Sequence, residues 1–381
     1  MTTLLDPCAT LSRRQFVGGA AALAAAALLT PRSMLAREAP AFESRAILDE
    51  GLNWVTKRSA ETVCMRIKRA GFNVFIPCVW HGRGAVWPSR LAPWDSHNKR
   101  LPGFDPLENL IRTAEAYEIE VHPWFTVALR QREFLGKFYD DGTPSDAFDV
   151  HRDAFREWIS SLIAEVVAAY PVHGINLDFV RAGGVCRSPQ CIDDYRRRTG
   201  RDLLADSRRR RIPGADLTQL VRWQQEAVGD IVGRVSHRVR EINRKIVISV
   251  DAAPGNPLVA MEGQDSIRWA DNGWIDVIYN MHYEVQPDFE SIRTLRSSMS
   301  RPEVMVVLSG NFDRVGPQKA VVPRDAARVA ELLKESRSIG TGNGVGLYLY
   351  SMLSDEQIDL LQRTVFHLSA KPQWARARST T

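Results

Sequence analysis

Cysteine is scarce in this sequence, five in 381 residues, which excludes a small disulfide-stapled scaffold. Long apolar runs are missing too. The run Val17–Leu29 has thirteen residues, short of the ~20 that a membrane-spanning helix needs. Charge of one sign is not in excess: the net charge is +5. Two of those charges come from residues 1–41, where Arg13, Arg14, Arg32 and Arg37 face Asp6 and Glu38. So weak a basic balance argues against a nucleic-acid partner. There is no His-x-His or Asp/His ligand set, and no His/Cys cluster has zinc-site spacing. No metal and no cofactor are expected. What remains is ordinary for a globular protein: 44% hydrophobic and 25% charged residues.

The first 41 residues read as an export signal. Ser12-Arg13-Arg14-Gln15-Phe16 precedes the Ala- and Leu-rich run, and small residues follow near Ala36–Ala41. Adjacent arginines before Phe resemble a twin-arginine signal; a general secretory signal or an uncleaved anchor is the alternative. The expected location is periplasmic or secreted, with no transmembrane segment left after signal removal. Oligomeric state is left open. Of the later cysteines, Cys64 and Cys78 fall in apolar patterns and are expected in the core. Cys186 and Cys191 lie in a polar, solvent-exposed loop, either paired or as two free thiols.

Residues 45–368 alternate short apolar runs with amphipathic stretches. The expected strands are 45–50, 73–80, 120–127, 174–180, 245–251, 275–283, 303–309 and 346–350. The expected helices are 59–70, 106–117, 152–170, 217–243, 266–271, 289–298, 324–339 and 355–368. Several strands are almost continuously apolar, as parallel strands covered by helices are. Eight such units predict an α/β fold, a (β/α)8 TIM barrel, as a single domain over 42–381. A doubly wound sheet would carry a glycine-rich turn after its first strand. Here that strand exits into Glu50-Gly51-Leu52-Asn53-Trp54. Residues 182–215 form an insertion after strand four; its run Arg208–Arg211 reads as a solvated surface lobe.

In such barrels the reactive groups gather at the C-terminal strand ends. Strand four reads Gly174-Ile175-Asn176-Leu177-Asp178-Phe179-Val180-Arg181. Side chains alternate along a strand. With Ile175 and Leu177 facing the helices, Asn176 and Asp178 face the lumen. A carboxylate in an apolar strand is costly unless it is paired or working; a salt bridge to Arg181 is the structural reading. Asp251 ends strand five on the lumen side. Asn280-Met281-His282-Tyr283-Glu284 ends strand six, and Asp49-Glu50 ends strand one. His122 and Trp124 share parity on strand three. Trp80 closes strand two, followed by His81, Trp87 and Trp94. Indole rings stack on sugar rings, or else cover the barrel's own rim.

Three stretches resemble the glycosyl hydrolase-like family 10 barrels. They are Gly71–Val74 with Val86–Trp94, Phe104–Leu107 through Ile119–Phe125, and Gly174–Arg181. Trp274–Ile278 adds to them. The resemblance spans roughly residues 45–365 and implies a carbohydrate-active barrel. It makes the strand-four aspartate, Asp178, the leading catalytic group. The sequence departs from the pattern at His173, Ala182, Asn280-Met281 and Glu284. Glycoside hydrolysis needs two carboxylates across the scissile bond. Asp178 is expected as nucleophile or base. Asp251 is the preferred acid, then Glu284, with Glu50 a further alternative. Expected contacts to an oligo- or polysaccharide are Glu50, Trp80, His81, His122, Trp124, Asn176, Arg181, Asn280, His282, Tyr283 and Tyr348. The rival reading is a non-catalytic glycan-binding barrel. A metal-dependent hydrolase using His122 or His282 ranks last, for want of ligands.

Overall fold

The structure is a computed structural model that describes residues 42–131, 133–340 and 344–378. The expected export signal, 1–41, lies outside the described residues. The barrel staves are β1 (Ser44–Asp49), β2 (Val74–Trp80), β3 (Glu120–Val121) with β4 (Trp124–Thr126), β5 (Gly174–Asp178), β6 (Val247–Ala252), β7 (Val277–His282) and β8 (Met305–Gly310). A hairpin follows, β9 (Phe312–Val315) with β10 (Ala320–Pro323), and β11 (Gly344–Tyr348) is the last stave. β3 and β4 both pair with β2 and make one stave in two pieces. β1 pairs in parallel with both β2 and β11, so eight staves close on themselves. This is the expected (β/α)8 barrel.

The helices are α1 (Lys57–Ala70), α2 (Pro106–Ala116), α3 (Asp153–Ala169), α4 (Pro189–Thr199), α5 (Leu203–Arg209) and α6 (Thr218–Ile242). α7 (Pro257–Met261), α8 (Ser266–Asp271), α9 (Phe289–Ser297), α10 (Ala326–Ile339), α11 (Asp355–Thr364) and α12 (Ala375–Arg378) follow. Local chemistry sets their ends. Thr56 and Ser59 close a capping box on α1, and Gly71 ends it in the left-handed region. Asp105 caps α2 through the N–H groups of Leu107 and Glu108, with Pro106 in the first turn. Among the described residues no helix is long and apolar enough to cross a membrane.

Two apolar layers follow from strand alternation. Ile47, Phe75, Ile175, Leu177, Ile248 and Val250 face the helices. Leu48, Ile76, Trp124, Val247, Tyr279 and Leu308 fill the lumen. The insertion after β5 holds α4 and α5 over a small core of its own, around Cys191, Tyr195 and Trp223. Arg208 and Arg211 are exposed, as a solvated lobe requires.

The structure differs from the sequence reading in several places. The third stave is broken at His122-Pro123, because Pro123 has no N–H to donate to a ladder. The last strand ends at Tyr348, since Tyr350–Met352 turns into a short 3-10 helix. The β9–β10 hairpin is an addition to the eight expected units.

Candidate active site

The C-terminal mouth of the barrel gathers Asp178, Asp251, Glu50, His81, Trp124, Tyr283 and Tyr348. Asn176 on β5 lies level with Ser249 on β6. Its amide donates to Asp251 Oδ1 at 3.0 Å and to Ser249 Oγ at 3.1 Å. Asp178 stands one alternation above Asn176 and accepts from the Phe179 N–H at 2.5 Å. Phe179 has φ +48, so the strand turns sharply at the reactive end. The Trp124 indole N–H points toward Asp178 without completing a hydrogen bond.

Burial and mutual repulsion set the charge of this pair. Burial pushes the Asp178 carboxyl up to about 6, with Arg181 pulling it down and Glu50 pushing it up. Burial also lifts Asp251 well above the usual carboxylate range, and the neighbouring Asp178 charge adds to it. Like charges at close quarters cannot both ionise cheaply, so one proton stays with the pair. The stronger upward push falls on Asp251.

An aromatic wall stands beside the carboxyls. Tyr283 stacks on Tyr348 with centroids 4.8 Å apart, and Trp124 meets Tyr348 edge-on at 6.3 Å. The Tyr348 hydroxyl donates to Glu50 Oε2. His81 Nε2 lies 3.6 Å from Glu50 Oε1, and its Nδ1 lies 3.4 Å from the Cys78 thiol. The Glu50 side chain is 44% exposed at this mouth. Tyr279, fully buried on β7 and level with Asp251 on β6, is a lumen residue that the sequence reading does not name. Its parity with Tyr283 on β7 was the available signal.

Several sequence-based expectations are corrected. The Glu284 side chain is 64% exposed and turns toward His282, 3.8 Å from its Nδ1. Tyr279 faces the lumen, so alternation turns Asn280 and His282 outward. The Asn280 amide meets the Met305 sulfur, and His282 feels Glu284 and Asp288. Trp80 also leaves the lumen. A register shift between Cys78 and Trp80 turns its ring onto Trp158 and Phe134, where it is fully buried. His122 sits at the opposite end of the barrel, within 3.4 Å of Glu120 Oε2 and against Trp374. A Cβ on Gly174, the first residue of β5, would strike its ring. Asn176 is fully buried and holds Asp251 rather than reaching the mouth. Arg181 pairs with Glu262 at 3.3 Å and covers the Phe179 ring, instead of bridging Asp178 directly. Trp87 and Trp94 cover the rim, bonding Glu165 and the Asn98 carbonyl. Cys186 and Cys191 are free thiols buried in the insertion core, not exposed on a loop.

Known proteins share this architecture. Glycosyl hydrolase DigH of Escherichia coli K12 is 24% identical over 255 residues, 56% of this chain and 54% of that protein. The chain therefore spans about half the length of that relative. The glycoside hydrolase domain of PgaB (BpsB) from Bordetella bronchiseptica superposes with a TM-score of 0.61 at 15% identity, covering 84% of this chain and 99% of that one. The β-amylase catalytic domain from Paenibacillus polymyxa gives 0.56 at 10% identity, covering 86% and 99%. These likenesses are of the barrel fold. The sequence profile described as Glycosyl hydrolase-like 10 matches residues 48–154 and 144–314. With that match running from the end of β1 through β9 and taking in Asp178 and Asp251, the chain belongs to the glycosyl hydrolase-like 10 family.

Proposed function

We propose that the barrel is an exported glycoside hydrolase that cleaves a polysaccharide or a cell-envelope glycan with Asp178 and Asp251. The observation that carries the reading is the pair of buried carboxyls at the C-terminal ends of β5 and β6, Asp251 held by Asn176 and each carboxyl pushed up by burial. Neighbouring strands lie about 4.8 Å apart, and retaining glycosidases hold their carboxyls about 5–5.5 Å apart. Asp178 is the nucleophile: it attacks the anomeric carbon while Asp251 gives its proton to the departing glycosidic oxygen. Asp251 then takes a proton from the water that releases the sugar from Asp178. Asn176 fixes Asp251 throughout. Tyr283 and Tyr348 offer faces for a sugar ring, and Trp124 packs behind Tyr348.

A second reading has one observation in its favour. Asp251 is 2% exposed, whereas Glu50 opens onto the mouth and is held by Tyr348. Glu50 is then the acid, and Asp251 only tunes Asp178. The pH profile separates the two. In the first reading kcat/KM rises as pH climbs through about 6, where Asp178 ionises. It falls again at the higher pH where Asp251 loses its proton. Asp251→Asn removes the alkaline limb and slows natural glycans far more than activated aryl glycosides. If Glu50→Gln gives that pattern and Asp251→Asn does not, Glu50 is the acid.

The purified protein, screened against envelope and plant glycans, is expected to release a product of retained anomeric configuration. Binding without any cleavage would instead favour the glycan-binding barrel. Export is checked separately. Changing Arg13 and Arg14 together to Lys should hold the precursor in the cytoplasm; normal export of that variant removes the twin-arginine reading.

A further inference from the structure

Asp149, from the loop ahead of α3, enters the small core of the insertion after β5. Its carboxylate is 2% exposed, Cys186 is 3% exposed and Cys191 is 1% exposed. The Cys191 sulfur lies 3.5 and 3.6 Å from the two Asp149 oxygens. One ligand atom from each of the three residues falls within 4.8 Å of the others. Two cysteines with four residues between them are too few to read as a metal site in a linear sequence. Folding supplies the third donor.

A buried carboxylate needs compensation. Asp149 accepts the His151 backbone N–H at 3.0 Å and faces the weakly donating Cys191 thiol. Arg152, three residues on, is bonded to Asp140 and acts on the Asp149 carboxylate only through its charge. A tetrahedral zinc ion, with Zn–S near ~2.3 Å and Zn–O near ~2.0–2.2 Å, holds its ligands roughly 3.5–3.8 Å apart. The Cys191–Asp149 separation already meets that condition. Beside the cluster is a cavity of about 40 Å³, lined in part by Asp149, His151, Gln190 and Cys191. That is room for one water, which needs roughly 10–15 Å³. A Cys186–Cys191 disulfide satisfies the carboxylate less well, because it removes the thiol proton that faces Asp149.

We propose that Cys186, Cys191 and Asp149 form a zinc site, completed by a water from that cavity, that ties the insertion to the loop ahead of α3. Loading releases the two thiol protons to solvent. The His151 N–H orients the carboxylate from behind.

The purified full chain is reduced, stripped with a chelator and titrated with Co²⁺ and then Zn²⁺. The expected result is a cobalt–thiolate charge-transfer absorption that zinc displaces at stoichiometric amounts. Zinc should also shield Cys186 and Cys191 from a thiol reagent. Asp149→Asn should weaken zinc binding roughly tenfold or more, and Cys191→Ser should abolish the cobalt band, leaving Cys64 and Cys78 as controls. Should the variants fail to fold, the wild-type cobalt spectrum still decides. Three results each overturn the site: no thiolate band in the folded, reduced protein; equal zinc binding by Cys191→Ser; or a Cys186–Cys191 disulfide in the purified protein.

Discussion

Asp178→Asn is expected to leave the barrel folded and to lower glycan turnover by roughly three orders of magnitude or more. That corresponds to ~4 kcal/mol of lost transition-state stabilisation at ~1.4 kcal/mol per decade. Asparagine keeps the shape and can still meet the Phe179 N–H through its carbonyl oxygen. It loses the charge that attacks the anomeric carbon. Glycan binding should survive, because Trp124, Tyr283 and Tyr348 stay in place. The check is kcat and KM on the same substrate, with a binding measurement beside it. If Asp178 only offsets the charge of Arg181, stability falls and turnover stays within about tenfold, and the nucleophile assignment is lost. The structure already weakens that alternative, since Arg181 has Glu262 as its partner.

Arg324→Met should be the most destabilising change outside the mouth, by several kcal/mol at about 1–3 kcal/mol for each buried acceptor left unmet. The side chain is 4% exposed. Its Nη atoms donate to the carbonyls of Gly310 and Phe312 at 2.7 Å, Tyr283 at 2.9 Å and Glu284 at 3.2 Å. Its Nε holds Asp313 at 2.8 Å. Methionine fills the volume but leaves buried acceptors unmet. Denaturant unfolding would show a lower midpoint at an unchanged slope. Arg324→Lys should rescue little, because a point ammonium cannot reach both pairs of carbonyls. Stability within ~1 kcal/mol of the wild type for both variants would show that the network carries no weight. The same guanidinium grips the backbone of Tyr283, so a surviving variant should also bind substrate more weakly.

Asp178 and Asp251 were legible in the sequence because each lies at the end of an apolar strand of constant parity. Ile175 and Leu177 face the helices on β5, and Ile248 and Val250 do so on β6. The neighbouring side chains then had to face the lumen. Parity also condemned Asn280 and His282, once Tyr283 was taken as facing inward. Inward contacts from Asn280, His282 and Tyr283 together are incompatible with the alternation of β7. Glu50 was legible as a strand-end carboxylate, but its meeting with Tyr348 from the last stave required barrel closure.

By itself, the order of apolar runs and amphipathic stretches determined eight alternating units and their strand-end acids. A parallel strand buried on both faces must read that way. Tertiary structure alone decided the rest, because those outcomes depend on contacts between distant segments. The register shift after Cys78 turned Trp80 out of the lumen. The break at Pro123 and the return of Trp374 made His122 part of the barrel floor. Packing of the insertion brought Asp149 to Cys186 and Cys191. None of these is written in local periodicity, since each is set by which chain packs against which, and at what height in the barrel.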